Sequence, residues 1–131
     1  MSIPLSLAPL ALSLATPWLA LTANDEVQYS RDIRPLLSDR CFVCHGPDVS
    51  TRESDMRLDT FAFATADRGG YAVIVPGDLE ASEIWYRLHA DDPEELMPPT
   101  ASHKVRLTPE ELETVGKWIE EGAKYQQHWA F

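Results

Sequence analysis

Apolar residues in this chain recur in short segments, which polar and proline-containing stretches separate. Over residues 27–37 they follow the spacing of a helix, for which Ser30 is a candidate N-cap. Pro35 is expected to break this helix or to end it early, because proline lacks a backbone N–H donor and clashes with the preceding turn. The pattern therefore predicts a short helix just before Cys41.

Two further helices are predicted in the second half of the chain. One runs from residue 79 to about residue 89, with Asp78 as its cap. The last begins at Thr108, where a proline follows the N-cap and a glutamate comes three residues on, and it ends near Gly122. Their predicted apolar faces are Ala81, Ile84, Trp85 and Leu88 in the first, and Leu112, Val115, Trp118 and Ile119 in the second.

The segment between the first helix and residue 79 shows little helical periodicity. Residues 49–59 are polar and predict a loop. Residues 71–75 are rich in β-branched side chains and end at Pro76-Gly77, which predicts an extended segment without a strand partner. Phe61 and Phe63 are expected to pack into the core, with packing against a bound cofactor as the alternative.

The first 23 residues differ from the rest in composition. No charged side chain occurs between Ser2 and Ala23, and Ala23 is a plausible cleavage site for a secretory leader. Three prolines and the lack of an N-terminal Lys or Arg fit this poorly, and an uncleaved anchor is the alternative. The predicted organisation is a leader or anchor at 1–23, one domain at 24–127 and the start of a linker at 128–131.

The chemistry of the chain is concentrated in one pentapeptide. Residues 41–45 read C-x-x-C-H, the attachment signal of a c-type haem. Two thiols on one helical turn reach the two vinyl groups of the porphyrin, so Cys41 and Cys44 are predicted to form thioethers. The imidazole of His45 then lies beneath the iron as proximal ligand. Such attachment is made outside the cytoplasm, which predicts a periplasmic or other extracytoplasmic location.

The same residues have two possible non-haem uses, a zinc site and a redox-active dithiol. Cys41, Cys44 and His45 offer zinc three ligands, but adjacent donors crowd one tetrahedron and no second pair is nearby. A redox-active dithiol would precede a helix in a β-α-β setting, which the pattern does not predict. Covalent haem, one per chain, is therefore the expected cofactor.

A second iron ligand is expected on the other face of the haem. Met97 is the preferred candidate, since Pro98 and Pro99 hold the following chain extended and a thioether is a soft ligand that raises the reduction potential. His103 is the second choice. The remaining candidates have no context that selects them: Met56, His89 and His128.

With these residues in place, the chain resembles the planctomycete-type cytochrome c domain, a branch of the class I cytochrome c family. The resemblance implies an all-α fold wrapped around one covalent haem, with the first and last helices crossing beside it. It also implies His45 and Met97 as axial ligands, and a longer protein of which this chain is the N-terminal part. The segments that carry it are 29–37, 41–48, 57–59, 75–78, 96–99, 107–123 and the ending 128–131.

The expected function is electron transfer and not enzymatic catalysis. A haem with both axial positions filled exchanges electrons without binding a substrate. The alternative is a haem peroxidase or ligand sensor in which Met97 is displaceable. The 131 residues carry a formal charge of -10, which argues against nucleic acid and anionic membranes as partners and allows docking onto a basic redox partner or a fused domain.

Overall fold

The computed structural model describes residues 25–126, together with Pro4. The predicted leader at 1–23, apart from Pro4, and the predicted linker at 128–131 lie outside these residues. Within them the chain is helical and forms no β-strand, which confirms the all-α prediction. The helices are α1 (Arg34–Arg40), α2 (Phe42–His45), α3 (Phe61–Ala64), α4 (Glu83–His89) and α5 (Pro109–Glu120). A search of residues 25–126 for a helix of the length and hydropathy needed to span a bilayer finds none.

The start of the first helical region differs from the prediction. A π-helical turn, Tyr29–Ile33, leads directly into α1, so Ser30 lies inside the turn and is not an N-cap. Pro35 lies in the first turn of α1 and neither breaks nor ends it. The first backbone N–H groups of a helix have no partner within that helix, so proline is tolerated there.

The start of α4 also differs from the prediction. The helix begins at Glu83, with Ser82 as N-cap, and not at Leu79 beside Asp78. Ser82 is buried, and its hydroxyl donates a hydrogen bond of 2.7 Å to the backbone carbonyl of Asp78. These contacts hold residues 79–82 as a turn, so the helix cannot start earlier.

The segment before α4 is extended and takes part in no sheet, as predicted; its bridges to later residues are isolated. The expectation for the two phenylalanines is wrong. Phe61 and Phe63 begin and continue the short helix α3, and each is 45% exposed. The guanidinium of Arg57 lies 3.9 Å from the centre of the Phe63 ring, so that ring lies under a charged surface group.

The last helix, α5, has the predicted cap. The backbone N–H of Glu111 donates to the hydroxyl of Thr108 at 3.2 Å, and the Glu111 carboxylate accepts from the Thr108 N–H at 2.9 Å. Gly122 follows the helix with φ of 106°, a left-handed conformation that suits glycine. The buried face of α5 contains Val115, Trp118 and Ile119, all predicted.

Aromatic rings join the two ends of the domain. The ring of Tyr29 stacks on Trp118 with centroids 5.8 Å apart, and Tyr125 lies 4.5 Å from Tyr29 and 5.2 Å from Trp118. Polar contacts continue this junction: the N–H of Val27 donates to the Glu121 carboxylate at 2.9 Å. The first helical segment therefore packs against α5, as the resemblance implies.

Helix α4 approaches α5 closely at one glycine. A Cβ atom on Gly116 would lie 2.9 Å from the ring of Trp85, closer than carbon atoms approach without displacement. Because Gly116 has no side chain beyond a hydrogen atom, α4 can lie against α5 at this point. The contact fixes the position of α4, which forms one wall of the candidate site.

Candidate functional site

A cavity of about 540 Å³ lies between the C-x-x-C-H turn, α4 and the loop that carries Met97. All four residues predicted to bind the cofactor line it: Cys41, Cys44, His45 and Met97. Its volume falls in the range of about 300–1,000 Å³ that is usual for ligand pockets. Most of its wall is apolar, so an apolar molecule with a few polar groups matches it.

The two thiols lie at the ends of one turn. Cys41 links α1 to α2, Cys44 lies in α2, and both are free and half-buried. The N–H of His45 donates to the carbonyl of Cys41 at 2.8 Å, which closes the turn. A Cβ on Gly46 would lie only 2.3 Å from the carbonyl oxygen of Phe42, so glycine is required where the turn ends.

The structure does not favour the non-haem uses of these thiols. Burial raises the pKa of the Cys41 thiol to about 12, whereas a catalytic dithiol depends on a lowered pKa. Three metal-binding side chains grouped around one position are not found within residues 25–126.

One ring nitrogen of His45 has a hydrogen-bond partner in the backbone. Its Nδ1 atom lies 3.2 Å from the backbone carbonyl oxygen of Met56. A carbonyl only accepts hydrogen bonds, so Nδ1 carries the proton and the lone pair is on Nε2. This is the tautomer that a metal-binding histidine needs.

The segment that supplies this carbonyl wraps around the C-x-x-C-H turn. The N–H of Glu53 donates to the carbonyl of Cys44 at 3.1 Å, and the N–H of Leu58 donates to that of His45 at 2.8 Å. The hydroxyl of Tyr125 donates to the Leu58 carbonyl at 2.8 Å, and burial raises the pKa of that phenol. The sequence predicted only a polar loop here, because backbone carbonyls leave no trace in residue type.

Met97 lines the same cavity from the loop that follows α4. Its N–H donates to the carbonyl of Arg87, near the end of α4, at 2.9 Å. The side chain is half-buried, the peptide bond to Pro98 is cis, and Pro98 is buried. The thioether is thus presented to the cavity from a loop attached to α4.

The other candidate iron ligands differ in where they lie relative to the cavity. Met56 also lines the cavity, but its backbone contacts the imidazole of His45. His89 and His103 are not part of the lining; the ring of His89 lies against Trp85, and His103 ends the 3-10 turn Thr100–Ser102. His128 is outside the described residues.

Both arginines that line the cavity form ion pairs. Arg40 contacts the carboxylate of Glu111 at 3.2 Å, and Arg87 contacts that of Glu83 at 2.7 Å. Arg57 is not among the residues that line the cavity. Its guanidinium forms a bidentate pair with Asp59.

The donors of the cavity therefore fit an iron porphyrin: two thiols on one turn, an imidazole with a free Nε2, a thioether and apolar walls. A helical domain with this set has the features of a c-type cytochrome domain. Comparison with protein-family models agrees, since residues 41–101 match the family described as Planctomycete cytochrome C. This segment is similar to that family, which agrees with the resemblance. The matched range excludes the segments at 29–37 and 107–123 that also carried the resemblance.

Comparison with curated proteins found no match, and comparison with solved structures found none either. The family itself implies covalently bound haem c and haem-based electron transfer. Cytochrome c domains are generally electron carriers and not enzymes, and they are typically extracytoplasmic.

Proposed function

We propose that this chain is an electron-transfer domain with a single c-type haem. Cys41 and Cys44 form the thioether bonds, His45 is the proximal ligand and Met97 the distal one. The observation that supports this most strongly is that all four side chains line one largely apolar cavity, although Met97 is far from the other three in sequence.

The residues around the cavity have distinct tasks in this proposal. The haem, when bound, supplies an iron that alternates between its ferrous and ferric states. The carbonyl of Met56 holds the proton on Nδ1 of His45, which orients the ring and makes Nε2 a better donor. The neutral thioether of Met97 and the apolar walls disfavour the additional positive charge of the oxidised state, so both raise the reduction potential.

The remaining predictions complete the proposal. We infer that residues 1–23 direct the chain to the periplasm or another extracytoplasmic compartment. The formal charge of -10 suits a basic redox partner, to which electrostatic attraction would guide the domain. A fused domain beyond residue 131 would serve the same purpose.

Expression together with haem-attachment machinery tests the proposal. Intact mass is expected to show one haem added to the chain, and removal of both thiols by Cys41→Ala and Cys44→Ala is expected to abolish the addition. An exported parent chain with no added mass would overturn the proposed function.

The distal ligand is tested by a matched pair of variants. Met97→Ala is expected to lose the sulfur-to-iron charge-transfer absorption of the oxidised protein and to lower its midpoint potential. Met56→Ala removes the other methionine of the same cavity and is expected to keep that absorption. If Met97→Ala has the spectrum and potential of the parent, Met97 is not the ligand.

A further inference from the structure

The loop between α4 and the 3-10 turn, residues 91–99, carries Met97 and is here called the distal loop. It is ordered by its own turn: the N–H groups of Glu95 and Leu96 both donate to the carbonyl of Asp92 at 3.0 Å. The Asp92 carboxylate also accepts from the N–H of Glu94 at 2.9 Å. The turn gives the loop a shape but does not attach it to the rest of the domain.

The loop is attached to α4 by the hydrogen bond from the Met97 N–H to the Arg87 carbonyl, and side chains of α4 add a second attachment at Glu95. The hydroxyl of Tyr86 donates a hydrogen bond to the Glu95 carboxylate. The Nη1 atom of Arg87 lies 3.5 Å from the Glu95 backbone carbonyl, while its Nε donates to Glu83 at 2.7 Å. The guanidinium is thus held between its own helix and the distal loop.

Glu95 and the preceding residue, Glu94, differ in solvent exposure. Glu95 is half-buried, whereas Glu94 is exposed and its carboxylate has no hydrogen bond or ion pair within residues 25–126. Two adjacent carboxylates of the same loop therefore differ in whether they contact α4. The nearby Glu95 carboxylate raises the pKa of the Tyr86 phenol, mainly through this hydrogen bond, as expected for a stable contact.

We propose that Tyr86 and Arg87 are positioning residues that hold the distal loop on α4 and thereby keep the Met97 thioether in the cavity. The inference rests on the proposed function, in which Met97 is an iron ligand. Two residues after Glu95, the Met97 N–H donates to the Arg87 carbonyl, so this backbone hydrogen bond and the contacts at Glu95 together hold the segment that carries the thioether. A thioether carried by a loop leaves the iron when the loop opens, and local contacts set how often it opens.

Displacement of the thioether by imidazole tests the proposal. The oxidised haem-loaded protein is mixed with imidazole at constant pH, and loss of the sulfur-to-iron absorption is followed in time. Tyr86→Phe and Glu95→Ala each remove one side of the same hydrogen bond and are expected to speed displacement about three- to tenfold. Glu94→Ala, which removes the same charge from the same loop, is expected to match the parent.

Two further variants separate the contacts. The double variant Tyr86→Phe/Glu95→Ala is expected to be no faster than the quicker single variant, because both changes break one interaction. Arg87→Gln keeps the backbone carbonyl that accepts from Met97 and removes the guanidinium contact to Glu95, so it is also expected to speed displacement. Parent-like rates for Tyr86→Phe and Arg87→Gln would overturn the proposal.

The readouts distinguish positioning from general stability and from the proposed function itself. A lower unfolding midpoint in denaturant with an unchanged displacement rate would show a merely structural role and overturn the inference. A Met97→Ala variant that keeps the sulfur-to-iron absorption would instead refute Met97 ligation. Loss of that absorption in Met97→Ala with parent-like rates in the α4 variants would refute only the positioning role.

Discussion

The Nδ1 atom of His45 lies 3.2 Å from the carbonyl oxygen of Met56, which follows it by 11 residues. This relationship selects the imidazole tautomer, yet it depends on a backbone atom. Hydrogen bonds of the adjacent residues set the position of that atom. One of them is donated by the Leu58 N–H to the His45 carbonyl. Substitutions that act on the segment around Met56 therefore affect the proximal side of the site.

Tyr125→Phe is expected to lower the free energy of unfolding of the haem-loaded protein by about 1–2 kcal/mol, because it leaves the Leu58 carbonyl without its partner. Denaturant titration measures this change. Tyr29→Phe is the control, since Tyr29 belongs to the same aromatic cluster and its hydroxyl makes no hydrogen bond within residues 25–126. Equal effects of the two substitutions would contradict the role given to the Tyr125 hydroxyl.

Thr108→Ala is expected to destabilise the domain by about 1 kcal/mol, since it removes the side-chain acceptor that caps α5. Thr108→Ser keeps the hydroxyl and should recover most of the loss. Thr114→Ala, at a partly exposed position of the same helix, is expected to change stability by no more than about 0.5 kcal/mol. Thermal unfolding compares the three, and a parent-like Thr108→Ala would show that the cap contributes nothing.

Gly116→Ala is expected to destabilise the domain although alanine is the better helix former. Overpacking against Trp85 costs about 1–3 kcal/mol and the gain in helix propensity is about 1 kcal/mol. In a Trp85→Leu background the added methyl group has space, so the same substitution should become neutral or stabilising. Additive effects in this double-mutant cycle, measured by denaturant titration, would argue against close contact of the helices.

Acid stability tests the pair formed by Arg57 and Asp59. The hydrogen bond from Arg57 is the main cause that holds the pKa of Asp59 below its ordinary value of 3.8. The native state then favours the carboxylate more than the unfolded chain does, so the pair stabilises the protein above that value. The stabilisation is lost as the pH falls through the lower native pKa.

Asp59→Asn is accordingly expected to be less stable than the parent near neutral pH, and this difference should shrink as the pH falls below 3.8 and through the lowered pKa of Asp59. Denaturant midpoints measured over this range provide the test. The control is Asp55→Asn, at an exposed carboxylate without a hydrogen bond or ion pair among the described residues. A difference between Asp59→Asn and the parent that stays constant with pH would exclude the proposed linkage.

Residue types predicted the parts of the fold that depend on side-chain chemistry. The cap at Thr108 and the apolar face of α5 follow from local rules, and the structure has them. The start of α4 could not be predicted, because Asp78 is a good cap in isolation. The buried hydroxyl of Ser82 draws the preceding residues into a turn, and that is a tertiary effect.

The candidate site likewise combines residues that the sequence identifies with contacts that it does not. The thiols, His45 and Met97 are identifiable from the motif, the prolines and the family resemblance, and the structure brings them to one cavity. Ligation by these residues stays a prediction, as do the boundaries at 1–23, 24–127 and 128–131. The Met56 carbonyl and the contacts of Glu95 with α4 could not be predicted, since they depend on distances between segments that carry no pattern of their own.

The hydrogen bond between Val27 and Glu121 has a consequence for engineering. It places the two ends of the described chain side by side, while the cavity is formed by residues 40–104 between them. A short peptide joining residue 126 to residue 25 would therefore close the polypeptide into a ring without strain on the cofactor pocket. New termini opened in the exposed turn at Gly69-Gly70 would give a circular permutant with the same pocket.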